Sequence, residues 1–311
     1  MISTPSFSEA WLPGSDGLNF YTRTYNADSS PPRAVVLLVH GFAEHISRYD
    51  NILAVWAKRG FTVFAYDQRG FGRTALDPQR SEQSTYGVTS WKEQFADIEW
   101  WLKHLKKEYP VQPLFLLGQS MGGGLALAFP TRTQQPPSKE TVELLSGVIA
   151  TSPLLLQTHP VSKLLRWVGG TARFVAPAMT TDAPVAFEDL SHDTAVNEDY
   201  AKDPLVMQKG SLQGLHDMLS GGEQLLWYDF QHWPRTLPVL ILHGTHDRVT
   251  SHKASEEFYN KLTVEDKKLS LYDGGYHELH NEPNGVKEKV IDEIISWVAA
   301  HIGTQPGSSK L

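Results

Sequence analysis

The sequence predicts an α/β protein with a mostly parallel central sheet, helices on both faces and an inserted helical cap. Three observations indicate this fold. Apolar, β-branched strands alternate with amphipathic helices along most of the 311 residues. A strand starting at Leu114 leads straight into a glycine-rich turn and a helix that opens at Met121. The alternation stops after Pro153 and resumes at Val239, which indicates an insertion.

The first half of the chain is predicted to begin the sheet. Residues 7–12 and 18–25 are typical of an antiparallel hairpin, because the Pro-Gly-Ser-Asp-Gly segment between them favours a turn. Residues 34–39 are apolar throughout, as expected for a strand covered on both faces. The elements predicted next are a helix (49–59), a strand (61–66), a loop (67–72), a helix (91–108) and the strand before the serine turn.

The second half is predicted to interrupt the sheet and then complete it. A strand at 147–151 precedes an apolar segment with basic flanks (161–179) and a polar stretch (180–203). The predicted core is therefore 1–152 and 211–311, and the predicted cap is 153–210. The later elements are helices at 212–230, 253–262 and 286–301, strands at 239–242 and 269–272, and a disordered tail at 303–311.

Composition excludes several classes of function. The net charge of −7 argues against a nucleic-acid partner. The absence of cysteine excludes disulfides, thiolate metal sites and a cysteine nucleophile, but it does not fix the compartment. The N-terminus lacks the features of a signal peptide, and no apolar run is long enough to cross a bilayer. We expect a soluble protein, cytoplasmic or associated with a lipid surface; the oligomeric state is not predicted.

The glycine-rich turn has the G-x-S-x-G pattern of a nucleophile elbow. Ser120 lies between Gly118 and Gly122, on a sharp strand-to-helix turn that larger flanking side chains would crowd. The helix that begins at Met121 directs backbone N–H groups and its positive dipole end at an oxyanion near Ser120. The alternative is a glycine-rich turn with an incidental serine.

A serine nucleophile requires a general base and an acid that orients the base. In an open α/β sheet these groups follow the carboxyl ends of strands, and behind an elbow the expected order is Ser, Asp, His. Asp247 is the predicted acid and His277 the predicted base. The alternatives are a turn-forming Asp247 and a surface His277, with His280 as the rival base.

An oxyanion hole requires two backbone N–H donors. Met121 directly follows the serine and supplies the first. The loop after residues 34–39 is expected to supply the second, with Phe42 as donor. The alternative is that His40-Gly41 only ends the strand. This chemistry requires no metal and no organic cofactor.

Four motifs together resemble the monoacylglycerol lipases of the α/β-hydrolase fold, including fungal ones. The motifs are H-G-F-A-E-H-I-S-R-Y (40–49), D-Q-R-G-F-G (67–72), G-Q-S-M-G-G-G (118–124) and G-Y-H-E-L-H (275–280). They occur in order, and the likeness extends from about residue 10 to residue 300. The resemblance implies hydrolysis of monoacylglycerols to glycerol and fatty acid, with the triad and oxyanion donors named above.

The resemblance also implies that Glu44, Arg48 and His280 line the small end of the pocket, near the glycerol. Their donors and acceptors suit vicinal hydroxyls, although a buried structural ion pair beside a histidine is the alternative. The family usually has histidine before the nucleophile, where this chain has Gln119. We therefore expect Gln119 to alter contacts on the alcohol side of the substrate.

The predicted cap has an apolar helical face formed by Val161, Leu164, Leu165 and Val168. The face is flanked by Lys163, Arg166 and Arg173, so it suits either a lipid or lipid-droplet surface or packing as an ordinary lid. Phe174, Met179 and Phe187 are candidates for acyl-chain contacts, with core packing as the alternative.

The alternative substrates for the same triad are lysophospholipids, thioesters, simple esters and diacylglycerol. A non-catalytic lipid-binding protein on this scaffold is the alternative from another class.

Overall fold

The computed structural model describes residues 7–160, 162 and 169–303. The described residues form an eight-stranded sheet with the order β1-β2-β4-β3-β5-β6-β9-β10 and a separate two-stranded sheet, β7-β8. The strands are β1 (Ser8–Pro13), β2 (Asn19–Tyr25), β3 (Ala34–Val39), β4 (Phe61–Tyr66), β5 (Leu114–Gln119), β6 (Leu145–Thr151), β7 (Thr180–Asp182), β8 (Lys209–Ser211), β9 (Val239–Gly244) and β10 (Lys267–Tyr272).

The large sheet is parallel except at one edge. β1 and β2 form an antiparallel hairpin, and β2 pairs antiparallel with β4. From β4 to β10 every neighbouring pair is parallel. The predicted hairpin and the mostly parallel sheet are both confirmed. The carboxyl ends of β3, β5, β9 and β10 therefore lie along one edge of the sheet.

Helices cover both faces of the sheet, as predicted. The helices are α1 (Asp50–Lys58), α2 (Gly72–Leu76), α3 (Trp91–Glu108), α4 (Met121–Ala128), α5 (Lys139–Val142), α6 (Thr194–Lys202), α7 (Leu212–Trp227), α8 (His252–Lys261) and α9 (Val286–Ala300). Side chains from α3, α4, α7 and α8 belong to one core cluster, and those from α1 and α9 belong to the other.

Strand β3 shows why its sequence is apolar throughout. All six of its residues are buried, and they alternate between the two clusters because successive side chains point to opposite faces. Val35 and Leu37 pack under α3, whereas Val36 and Leu38 pack under α1 and α9. A strand covered on both faces cannot show a polar alternation.

Local chemistry fixes several helix starts near the predicted positions. The Ser90 hydroxyl accepts a hydrogen bond from the Glu93 N–H at the start of α3. Ser211 and Ser251 cap α7 and α8 in the same way, through the N–H groups of Gly214 and Ala254. Each cap satisfies a backbone donor that has no partner inside its helix.

Sequence reasoning missed the short elements. Helix α2 begins in a predicted loop, α6 and β7 lie in the predicted polar stretch, and no element is predicted at α5 or β8. Three- to nine-residue elements hold too few residues for a hydrophobic period to show. β7 is exposed throughout and pairs with β8, so tertiary contacts rather than an apolar pattern place it.

The region predicted as the cap contains residues 169–172 in helical conformation, the strands β7 and β8, and α6. The predicted apolar face of Val161, Leu164, Leu165 and Val168, with Lys163 and Arg166, lies outside the described residues. So does the predicted tail beyond Gly303. Over the described ranges, no helix is both long and apolar enough to cross a membrane.

Candidate active site

The turn between β5 and α4 holds Ser120 in a strained conformation. Its φ is 56° and its ψ is −117°, a combination that L-residues adopt rarely. The backbone is fixed on both sides: the Ser120 N–H donates to Thr151 O at 3.0 Å, and its carbonyl accepts from the Leu154 N–H at 2.9 Å. These bonds hold the half-buried side chain at the carboxyl edge of the sheet.

The two motif glycines are required by close backbone packing. A Cβ on Gly118 would overlap the carbonyl group of Gly122. A Cβ on Gly122 would overlap the carbonyl oxygens of Val39 and His40, at the end of β3. The structure therefore confirms the steric reason for the G-x-S-x-G pattern, because the start of α4 packs closely against the ends of β5 and β3.

The loops after β9 and β10 bring Asp247 and His277 together. His277 Nδ1 donates to Asp247 Oδ2 at 2.8 Å, and both residues are buried. Among the described hydrogen bonds, His277 and not the rival base His280 pairs with Asp247. Because Nδ1 carries the proton, Nε2 is the ring nitrogen available to accept one.

Asp247 is held by several other donors. Its Oδ1 accepts the N–H groups of Val249 at 2.7 Å and Thr250 at 2.9 Å, so it also forms the turn. Its Oδ2 accepts the Thr250 hydroxyl at 2.9 Å and contacts His243 Nε2 at 3.0 Å. Burial opposes ionisation, but His277 and these hydrogen bonds outweigh it and hold the pKa of Asp247 well below its usual range.

His277 has the opposite shift. Burial disfavours the charged ring, but the Asp247 carboxylate outweighs burial, so the pKa of His277 lies above its ordinary 6.5. Ser120 and His277 line one cavity. In the described chain no hydrogen bond joins the Ser120 hydroxyl to the ring. Catalytic hydrogen bonds of this kind often form only when substrate is bound.

The loop after β3 is shaped by a buried histidine. His40 Nε2 accepts the Gln68 N–H at 2.8 Å, and its Nδ1 donates to Gly41 O at 2.8 Å. Burial lowers the pKa of His40 to about 4, so the ring is neutral and both contacts persist at neutral pH. His40 therefore supports the loop that carries Phe42, and it does more than end the strand.

The two predicted oxyanion donors come from the loop after β3 and from the start of α4. Phe42 lines the same cavity as the serine, and Met121 occupies the first position of α4. An N–H at that position has no acceptor inside its helix. The placement suits an oxyanion hole, and the role of the two amides stays a prediction.

Glu44 forms part of the scaffold of this loop. Its Oε1 accepts the Gly41 N–H and the Tyr49 hydroxyl, the latter at 2.7 Å. Its Oε2 accepts Arg48 Nη1 at 2.6 Å. Arg48 also donates to Glu278 with both terminal nitrogens, at 2.7 and 2.8 Å, and lies 4.7 Å over the Tyr200 ring. Glu44 and Arg48 thus form a buried ion pair and also line the cavity.

His280 and Gln119 occupy positions other than those expected. His280 is not among the residues that line the cavity; its ring stacks on Tyr49 with centroids 4.9 Å apart. Gln119 lines the cavity, but its amide donates to His277 O at 3.2 Å and accepts the Thr151 hydroxyl. Gln119 therefore ties the elbow to the loop that carries the base, instead of lying free for the alcohol.

Sequence reasoning missed several cavity residues. They are Glu278, Tyr200, Val185, Leu190 and Val249. Glu278 had a visible signal, because an acid directly follows the predicted base in the chain. Tyr200, Val185 and Leu190 lie in the predicted cap and had no such signal, since only tertiary packing brings them to the cavity.

The acyl-contact candidates of the insertion are not among these cavity residues. Phe174 is 75% exposed and Met179 is 55% exposed, and Phe187 is half-buried. The structure therefore places none of the three against the site.

The chain has detectable relatives among known families and proteins. The Hydrolase_4 family model, described as serine aminopeptidase, S33, matches residues 30–284. The chain belongs to the Hydrolase_4 family. A Schizosaccharomyces pombe protein named "Putative monoglyceride lipase" is 34% identical over 91% of this chain and 72% of its own length. Monoglyceride lipase of Mus musculus is 30% identical over 94% of this chain and 90% of its own length.

Solved structures agree with the Hydrolase_4 assignment. A soluble variant of monoglyceride lipase from Saccharomyces cerevisiae, in complex with a substrate analogue, matches with a TM-score of 0.84 and 25% identity, over 98% of both chains. The expected α/β-hydrolase fold is confirmed, and so is the resemblance to the monoacylglycerol lipases, including fungal ones.

Proposed function

We propose that this Hydrolase_4 protein is a serine hydrolase that cleaves monoacylglycerols to glycerol and free fatty acid. The observation that carries the proposal is a strained Ser120 that lines one cavity with His277, whose ring is paired with the buried Asp247. The monoglyceride lipases among its relatives supply the substrate class.

The chemistry follows from the positions of the groups. Ser120 attacks the ester carbonyl while His277 Nε2 takes its proton, and Asp247 stabilises the imidazolium that forms. The amides of Phe42 and Met121 bind the oxyanion. His277 then protonates the departing glycerol and activates the water that releases the fatty acid. No metal or organic cofactor takes part.

A substrate panel tests this proposal. Fatty-acid release is measured from monooleoylglycerol, diolein, triolein and a lysophospholipid, with the Ser120→Ala protein as the blank. Preferential turnover of monooleoylglycerol supports the proposal. Turnover confined to the lysophospholipid favours the alternative of a lysophospholipase with the same triad. Failure on every ester favours a non-catalytic lipid-binding protein.

The rate is expected to fall at low pH, with the inflection above pH 6.5. Catalysis requires neutral His277, and Asp247 raises the pKa of this ring despite burial, with Glu278 and Glu44 acting in the same direction. The kcat/KM for a soluble butyrate ester should therefore fall as pH drops through a value above 6.5. An inflection below 6.5 contradicts this assignment; far-UV circular dichroism across the range serves as the folding control.

We further propose that the insertion contacts a lipid surface through exposed apolar side chains. Phe174 and Val175 are 75% and 89% exposed, and the Arg173 guanidinium lies 4.2 Å over the Phe174 ring. An apolar pair with a neighbouring cation suits the interface of a membrane that contains anionic lipid.

Vesicle sedimentation tests this contact. The double variant Phe174→Ser/Val175→Ser should bind phosphatidylcholine vesicles containing anionic lipid several-fold more weakly, with unchanged hydrolysis of a soluble ester. Val111→Ser is the control. Val111 is as exposed as Phe174, at 76%, but it lies just before β5, outside the predicted cap. Equal binding by all three proteins would contradict the proposal.

A further inference from the structure

The polar end of the active-site cavity carries more negative than positive charge. Two carboxylates, Glu44 and Glu278, line it with one guanidinium, Arg48. The other titratable lining residues are His277 and Tyr200. The His277 ring is paired with Asp247, and burial raises the pKa of Tyr200, so its phenol stays uncharged at neutral pH. Among the described lining residues Arg48 is thus the one permanent cation, and one negative charge remains in excess.

Glu278 is charged at neutral pH. Its Oε1 and Oε2 accept Arg48 at 2.7 and 2.8 Å, and Oε2 also accepts the Asn281 amide at 2.8 Å. Burial opposes ionisation, but Arg48 outweighs it and holds the pKa of Glu278 below its ordinary value. The carboxylate is therefore a fixed negative charge next to the catalytic base.

Arg48 has little capacity left for an anionic ligand. One Nη1 hydrogen serves Glu44 and the other serves Glu278, and Nη2 also donates to Glu278. A phosphate that bound to these three hydrogens would have to displace the carboxylates and leave Glu278 buried without its partner, which is costly. A hydroxyl group can instead donate to a carboxylate oxygen without displacing Glu44 or Glu278 from Arg48.

We propose that Glu278 determines specificity for the alcohol part of the substrate, admitting an uncharged polyol and rejecting an anionic phosphate ester. The inference rests on the proposed esterase function and deepens it. Glu278 repels a phosphate through its like charge and keeps the Arg48 guanidinium occupied. Its carboxylate oxygens can still accept hydrogen bonds from the hydroxyl groups of a neutral polyol, so specificity has a repulsive and an attractive component.

The test compares two soluble esters that share an acyl chain and glycerol, 1-butyrylglycerol and 1-butyrylglycerol 3-phosphate. Their short chains keep both monomeric, so the charge of micelles does not enter. Wild type should prefer the neutral ester on the order of 100-fold in kcat/KM. Glu278→Gln should reduce this ratio at least about 10-fold. Glu288→Gln, the same change at an exposed position of α9, should leave it unchanged.

A measurement on wild type alone separates charge from size. The second ionisation of a phosphate monoester has a pKa of about 6, so its charge grows between pH 5 and 7.5. The titration of His277 affects both esters alike and cancels in the ratio. The preference for the neutral ester should therefore rise over this range, whether or not Glu278→Gln folds.

The outcomes separate this inference from the proposed function. Equal kcat/KM for the two esters, a ratio insensitive to pH, or a folded Glu278→Gln protein with an unchanged ratio overturns the role of Glu278 alone. Hydrolysis of p-nitrophenyl butyrate with no turnover of either glycerol ester overturns the proposed function, and the inference with it.

Discussion

Replacement of Ser120 by alanine is expected to lower kcat for monooleoylglycerol by about 10⁵- to 10⁶-fold. The hydroxyl is the proposed nucleophile, and backbone bonds to Thr151 and Leu154 fix its position on the strained turn. The alanine side chain has no group that can attack the ester. Fatty-acid release and labelling by a fluorophosphonate probe should both be lost. Alanine keeps the backbone contacts, so the thermal unfolding temperature should stay close to that of wild type.

Ser152→Ala is the matched control for this loss. Ser152 follows β6 on the neighbouring loop, is fully buried and also has a positive φ of 42°. It is not among the residues that line the active-site cavity. Its alanine variant should retain activity within a few-fold. Near-wild-type turnover by Ser120→Ala would refute the nucleophile assignment.

Asp247→Asn is expected to cost about 10³- to 10⁴-fold in kcat. An amide at this position carries no charge to stabilise the imidazolium. With its NH2 group in place of Oδ2, it presents N–H hydrogens where His277 Nδ1 and the Thr250 hydroxyl require an acceptor. His277 would then adopt the tautomer with its proton facing the serine. Steady-state hydrolysis of a soluble ester measures the effect.

Two comparisons make the Asp247 result specific. Asp273→Asn makes the same change on the adjacent loop, at an exposed residue, and should leave kcat within a few-fold. In the Ser120→Ala background, Asp247→Asn should cost almost nothing more, since groups that act as one unit are not additive. An additive loss, or a single-variant loss below 10-fold, would show that Asp247 does not act through His277.

The sheet, most helices and the residues of the proposed triad can be predicted from the amino-acid sequence alone. Strands such as β3 and β5 are buried on both faces and so must be apolar throughout, a pattern visible without coordinates. Gly118 and Gly122 mark the elbow because no side chain fits there. Asp247 and His277 follow strands, and parallel strands bring their carboxyl ends to one edge of the sheet.

The polar side chains that line the cavity, in contrast, could be identified only from the folded structure. His280 and Glu278 are two residues apart, yet His280 stacks on Tyr49 whereas Glu278 binds Arg48 in the cavity. Gln119 is drawn to the backbone of His277. Such choices depend on long-range hydrogen bonds and packing that link residues distant in sequence, and local sequence patterns do not encode them. The contact between the Tyr200 ring and the Arg48 guanidinium could not be predicted for the same reason, because the two residues are far apart in the sequence.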